Sequence, residues 1–276
     1  MENNIIVLEP YGGLCNRLWS LNAAYWLAER TGHDLVIVWN IAYELYAGFD
    51  DILINKGNMR ITEDYLVPVR SLKTLMFRVG RNRKVNDLKK QCDTVVNDPQ
   101  WREDSPEDLY DRVSGKSIYI RACNKFYVDP EHENDYGFIE FNKAILDEAD
   151  KMINRVKDAR LIGIHIRRTD NTEAIEKSKD AAFYRLADQE IADNENAMFY
   201  LATDDEKTEK CFKTRYGDRM ITFQDKEYSR QSRDGIKHAC IDLICLSKTS
   251  KIIGSAHSSF SLVAGELNKV PVVIAQ

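Results

Sequence analysis

Residues 5–39, IIVLEPYGGLCNRLWSLNAAYWLAERTGHDLVIVW, decide the fold. Ile5 to Leu8 is a short apolar run that stops before Tyr11-Gly12-Gly13. Leu14 to Leu21 runs on into Ala23 to Ala28, and Thr31-Gly32 ends it. Leu35 to Trp39 is a second apolar run. Strand, glycine turn, helix and strand make a βαβ unit, and strands joined by a crossover helix lie parallel. The chain therefore opens with a parallel α/β sheet.

Working outward, the second half repeats the pattern. Leu161 to Ile166 predicts a strand ending in Arg167-Arg168-Thr169-Asp170, and Ala197 to Ala202 one ending in Thr203-Asp204-Asp205. Met220 to Phe223 is a shorter strand and Ala239 to Leu246 a helix. Lys251 to Gly254 is a strand leading into Ser255–Ser259 and a helix through Leu267, and Val270 to Ala275 is a last strand. Between the halves, Ser117 to Ala122 reads as a strand, while the rest of Tyr43 to Tyr127 is short apolar pieces among charges. Phe138, Phe141, Ile145, Ala149, Met152, Ile153 and Val156 fall at helical spacing and predict one long helix from Phe138 to Val156. No fixed-period repeat is present. Two Rossmann-like halves with a cleft between them are the economical architecture.

The chain has 276 residues, 43% hydrophobic and 30% charged, which suits one large or two compact α/β domains and excludes global disorder. A net charge of −5 gives no general attraction to nucleic acid or a membrane surface. The start lacks the basic and cleavage regions of a signal peptide, and no run approaches the ~20 apolar residues of a membrane span. A cytoplasmic protein is the expectation. The six cysteines make no C-x-x-C pair and stand beside no histidine at zinc spacing, so free, mostly buried thiols and no metal site are expected.

In open parallel sheets, ligands bind beyond the carboxyl ends of strands. Three polar clusters fall there: Arg167-Arg168, Asp204-Asp205 and Ser255–Ser259. Side chains alternate along a strand, so one arginine can face a ligand while the other braces a loop. A guanidinium suits a diphosphate because its planar donors bond two oxygens at once; a structural ion pair with Asp170 is the alternative. The serines either cap the following helix or present its N–H groups to a phosphate. His165, inside an apolar strand, reads as a hydrogen-bonded core histidine. Asp242, in the nearly all-apolar Ala239–Leu246 helix, needs donors, which a purine base or a buried arginine would supply. The Gly12-Gly13-Leu14-Cys15-Asn16-Arg17 loop is neither a P-loop nor a dinucleotide fingerprint.

HIRRTD at 165–170, LATDD at 201–205, IDLICLS followed by IIGSAHSSFS in the C-terminal part, and GGLCNRLWSL near the start together resemble the fucosyltransferases of the α1,6/protein-O superfamily. The resemblance implies a GT-B-like α/β fold, with an acceptor-side domain over residues 1–140 and a donor-side domain over 141–276. It implies that Arg167 grips the donor β-phosphate and that His165 and Asp242 read the guanine. Asp204 would support the donor pocket, and Ser258 and Ser259 would lie near the phosphates. Asn16 and Arg17 would face the donor from the N-terminal loop, with Arg168 also in the binding set. The implied activity is inverting, metal-independent transfer of L-fucose from GDP-fucose to a glycan hydroxyl, with no cofactor. Asn171 stands where the α1,6-enzymes carry a lysine, and either Glu173 or Asp180 corresponds to their acceptor-activating glutamate. Lacking the stem and SH3 domain of the animal enzymes, the chain is expected to be a small microbial or viral type.

Rival readings are another nucleotide-sugar donor such as UDP-xylose, a sulfotransferase, or a silent nucleotide- or carbohydrate-binding module. A nucleic-acid binder working through Arg70, Lys73, Arg78, Arg81, Arg83 and Lys84 is a further rival. Apolar spacing at Leu72, Leu75, Met76 and Val79 makes that stretch a solvated helix face or an acceptor-side lid instead.

Overall fold

The computed structural model describes residues 4–65, 72–156 and 159–276. The chain divides into two compact units, Met1–Glu140 and Phe141–Gln276. In the first, β1 (Ile5–Pro10) leads through α1 (Leu14–Thr31) to β2 (Asp34–Ile41), then α2 (Phe49–Ile52), β3 (Leu53–Asn55), β4 (Met59–Tyr65) and α3 (Leu72–Lys90). β5 (Thr94–Asn97), α4 (Pro106–Val113), β6 (Ile118–Ala122) and β7 (Ile139–Phe141) follow. The main sheet has the order β4-β2-β1-β6-β5, and every pairing in it is parallel. The opening βαβ reading holds. Gly12, at φ 80°, sits in the left-handed region that lets the chain turn from β1 into α1.

A buried polar network lies within this sheet. Glu9 Oε1 accepts from Asn40 Nδ2 at 2.9 Å and from Arg81 Nη2 at 2.9 Å, and Oε2 accepts from the Tyr119 hydroxyl at 2.7 Å. Arg81 Nε also donates to Asn40 Oδ1 at 3.0 Å. Burial beside Glu9 pushes the Tyr119 hydroxyl pKa well above that of a free tyrosine. Arg81 therefore docks α3 on the sheet, with Val85 buried and Leu88 partly buried behind it at helical spacing.

That corrects the reading of this stretch. Leu75, Met76 and Val79 are exposed together with Arg78, Arg83 and Lys84, whereas Arg81 is buried and paired and is no part of a basic surface. Arg70 and the Lys73 side chain lie outside the described residues.

In the second unit, α5 (Lys143–Ile153) precedes β8 (Leu161–Ile166), α6 (Thr172–Lys177), α7 (Asp180–Asp193), β9 (Met198–Thr203), α8 (Glu206–Tyr216), β10 (Met220–Ile221), α9 (Arg233–Ser247), β11 (Ile252–Ser255), α10 (Ser259–Asn268) and β12 (Val272–Ala275). The sheet order is β10-β9-β8-β11-β12, again all parallel. In chain order this is 3-2-1-4-5, the doubly wound arrangement whose switch point lies between its first and fourth strands, here β8 and β11. Ile162, Ile164, Ile166, Phe183, Phe199, Leu201 and Phe212 form its core. Each such side chain contributes roughly 1.5–3 kcal/mol on burial. Two α/β units of this kind match the expected GT-B-like class.

The single long helix from Phe138 to Val156 is not formed. Phe138 precedes β7, Asn142 interrupts, and α5 begins only at Lys143. In β7, Ile139 and Phe141 are buried and Glu140 between them is exposed, a strand alternation that the helical spacing of Phe138 and Phe141 overlies. The cysteines are free, but Cys92 and Cys123 are half-buried and Cys211 is exposed, so the thiols are less buried than expected.

Removing one partner from the buried Glu9–Arg81 pair strands the other. Arg81→Ala should lower stability by about 3–5 kcal/mol, measured by urea unfolding. A loss under about 1 kcal/mol would mean that Glu9 does not depend on it.

Candidate functional site

Strand register builds the C-terminal site. Ile166 of β8 stands opposite Thr203 of β9, so Arg167 and Asp204, one residue further on, emerge side by side. Arg167 Nη1 meets Asp204 Oδ2 at 2.7 Å. Asp204 gathers the rest of the loop: Oδ1 accepts from Arg168 N at 2.8 Å and Oδ2 from the Thr169 hydroxyl at 2.6 Å. On the other side of β8, Gly254 of β11 pairs with His165. Ser255 follows, and its Oγ accepts from Arg167 N at 2.9 Å while donating to His165 O at 3.2 Å. Arg167, at the switch point, is thus braced by both neighbouring strands. Its side chain remains 16% exposed, and its Nη2 reaches Asp170.

Arg168 turns the other way. Its Nε and Nη2 donate to Asp180 Oδ1 at 3.2 and 2.5 Å, and its Nη2 also reaches Ser178 O at 2.9 Å. Its guanidinium lies 5.6 Å from the Phe183 ring centroid. Arg168 is a brace between the β8 loop and α7, and Asp180 is its partner. The Asp180 carboxylate, engaged by two guanidinium nitrogens, holds α7 in place.

The Ser255–Ser259 loop adjoins these groups. His257, at φ 51°, takes the left-handed conformation just before α10. Asn171 Nδ2 donates to His257 O at 2.8 Å, joining the loop to α6, which Asn171 also caps by accepting from Ala174 N. Glu173 lies 67% exposed on the first turn of α6, its Oε2 3.4 Å from His257 Nδ1, and Lys177 Nζ is 2.9 Å from His257 Nε2. Ser258 occupies the N-cap position of α10, yet its hydroxyl makes no cap hydrogen bond. Ser259 begins the helix. The first turn of α10 thus lacks the side-chain cap that would occupy its N–H groups.

Three of the expected ligand residues are buried and engaged within the protein. Arg17 is 1% exposed; its Nε donates to Gly12 O at 2.9 Å, its Nη1 to Asn40 O at 2.6 Å, and it lies over the Trp39 ring. Burial lowers its pKa to about 10. With its guanidinium spent on main-chain carbonyls, Arg17 clamps the glycine loop to β2. Asn16, next to it, is half-buried in the same helix turn. Asp242 is buried, with Oδ1 accepting from the Tyr200 hydroxyl at 2.7 Å and Oδ2 from Lys226 Nζ. The partner is a lysine and a tyrosine rather than a purine or an arginine. Burial raises the Asp242 pKa, against the pull of Lys226. His165 shares a 2.8 Å hydrogen bond with Ser261 Oγ and stacks on Phe260, and burial lowers its pKa to about 3. It is a neutral, buried histidine near pH 7, held between β8 and α10.

Sequence reasoning missed Lys226, Arg230 and His257. The first two lie in an irregular loop, and their carboxylate partners are 16 and 60 residues away, so no local pattern marks them. His257 had a signal, an isolated histidine inside a serine run at a strand end.

The same topology is found in solved structures. Fucosyltransferase NodZ from Bradyrhizobium aligns with 99% of this chain and 95% of its own, at 16% identity and TM-score 0.66. A mutant of Arabidopsis thaliana FUT1 in complex with GDP aligns over 99% and 70%, at 16% identity and TM-score 0.59. POFUT1 in complex with GDP aligns over 100% and 99%, at 10% identity and TM-score 0.60. The chain has the fold of these fucosyltransferases. The fold resemblance therefore agrees with the motif resemblance. The sequence matches no protein-family model and has no significant match among curated proteins.

Lys226→Met should leave Asp242 buried without its cation, at a cost of about 3–5 kcal/mol near neutral pH. Asp242 already holds its proton more tightly folded than unfolded, and losing Lys226 strengthens that. A group raised in this way gives stability that is greatest at low pH and lost as pH rises through its folded pKa. The gap between wild type and variant should therefore be narrower at pH 5 than at pH 8 in denaturant melts. A gap independent of pH would show that Asp242 does not titrate in the variant.

Proposed function

We propose that the chain is an inverting, metal-independent glycosyltransferase that moves L-fucose from GDP-fucose to a glycan hydroxyl. The observation that carries this reading is Arg167. It is a partly exposed arginine, braced from both sides, at the switch point of a doubly wound sheet, beside a helix N-terminus whose cap serine makes no cap bond. The fold supports the same reading. Proteins of this fold include NodZ alpha-1,6-fucosyltransferase soaked with GDP-fucose and POFUT1 in complex with GDP-fucose. Residues 141–276 would take the donor, with Asn16 of the N-terminal loop facing it, and residues 1–140 the acceptor. Among the described residues no helix is long and apolar enough to cross a membrane.

In this mechanism the acceptor oxygen attacks the anomeric carbon opposite the diphosphate. The bond from that carbon to the β-phosphate oxygen breaks, and GDP leaves with the electron pair. Negative charge grows on the β-phosphate, and Arg167 and the first-turn N–H groups of α10, at Ser258 and Ser259, stabilise it. Asp204 works indirectly by fixing Arg167. The acceptor proton passes to Glu173, the exposed carboxylate on the α6 turn, now that Asp180 is engaged by Arg168.

Arg167→Ala should lower kcat with GDP-fucose about a hundredfold or more while the fold survives. Calorimetry on EDTA-treated protein should show GDP binding tighter than UDP or ADP, and the variant should lose that preference. Tighter UDP binding would overturn the donor. Turnover that stops with EDTA and returns with a divalent cation would overturn metal independence.

A further inference from the structure

Asp170 occupies a place between two arginines. Arg167 Nη2 reaches its carboxylate from one side, and Arg230 Nη2 contacts Oδ1 at 3.1 Å and Oδ2 at 3.0 Å from the other. The Asp170 side chain is 56% exposed, so burial does not require the pairing. An exposed carboxylate in a surface ion pair gains little and exchanges readily with solvent. A diphosphate has more charge and more acceptor oxygens than one carboxylate, so it competes well for the same two forks. Arg167 keeps its bond to Asp204 when Asp170 leaves, and so remains aimed.

Arg230 is presented by a fixed main chain. Its loop, between β10 and α9, packs so tightly that a Cβ at Gly235 would lie 1.9 Å from Ser229 O. Glu227 Oε1 accepts from Ser229 N at 2.8 Å, Ser229 Oγ from Gln231 N at 3.1 Å, and Ser232 Oγ from Gly235 N at 2.9 Å, which caps α9. This ordering holds Arg230 over the β8 loop, where among the described residues its carboxylate partner is Asp170.

We propose that Arg230 is a second diphosphate-binding residue and that Asp170 is a place-holder, occupying the seat until a nucleoside diphosphate displaces it. The nucleoside part rests on the donor reading above; the two-arginine seat does not. The test is calorimetric titration of inorganic pyrophosphate and of GDP into wild type, Arg230→Ala, Arg230→Lys, Asp170→Asn and Arg167→Ala, each checked for fold by circular dichroism. Arg230→Ala should weaken both ligands by about tenfold to a hundredfold, and Arg230→Lys should recover part of the loss. Asp170→Asn should tighten both severalfold, because no carboxylate has to be displaced. Unchanged binding in Arg230→Ala, weaker binding in Asp170→Asn, or no pyrophosphate binding to wild type would each overturn the proposal. Pyrophosphate binding that depends on Arg230, with GDP bound no better, would keep the seat and sink the GDP-fucose reading. Selective GDP binding that depends on Arg167 and not on Arg230 would do the reverse.

Discussion

The C-terminal site depends on one carboxylate. Asp204 leaves β9 beside Arg167 because the parallel register puts Ile166 opposite Thr203. From there it accepts an Arg168 main-chain N–H, a threonine hydroxyl and the Arg167 guanidinium. A carboxylate that accepts from several well-placed donors at once is stiff as a bracket. Three consecutive residues, 167–169, donate to it. Ser255 does the complementary work from β11. Arg167 can face solvent at the switch point because its backbone and one of its nitrogens are already held.

The charged groups around it divide by what holds them. Asp180 and Arg168 are mutually committed and fasten α7 to the sheet. Asp242 and Lys226 are committed in the interior, with Tyr200 closing the carboxylate's other side. Asp170, 56% exposed, holds a place that burial does not dictate. The N-terminal unit makes the same contrast. Arg17 follows a glycine loop at a helix start, a setting that invites a ligand role, yet its guanidinium lies over Trp39 and donates to two carbonyls. Glu9, Asn40, Tyr119 and Arg81 satisfy one another in the same way. An arginine near a loop is a ligand residue only when no interior acceptor claims it first.

Much of the fold was legible because buried parallel strands are apolar on both faces. β8 reads LIGIHI with every residue buried, and its bounds follow directly from that run. Helices α6, α7 and α8 were not legible, because their exposed faces are charged and their apolar residues are few. The Phe138–Val156 stretch misled, since spacing alone cannot place the break that comes at Asn142. In the site, the positions of Arg167, Asp204 and the serine loop at strand ends could be read. The commitments of Arg17, Asp180 and Asp242 could not, since each depends on a partner chosen by packing.

The sequence by itself determined that this protein is two α/β halves of parallel strands, and which residues stand at the strand ends. Apolar runs and glycine turns are local signals, and burial of such runs does not depend on distant partners. Only the tertiary structure decided which charged side chains are spent on the interior and which stay at the surface. That choice rests on register and on contacts such as Arg230 with Asp170, 60 residues apart. Ion pairing depends on distances of a few ångströms, and a linear sequence does not contain those distances.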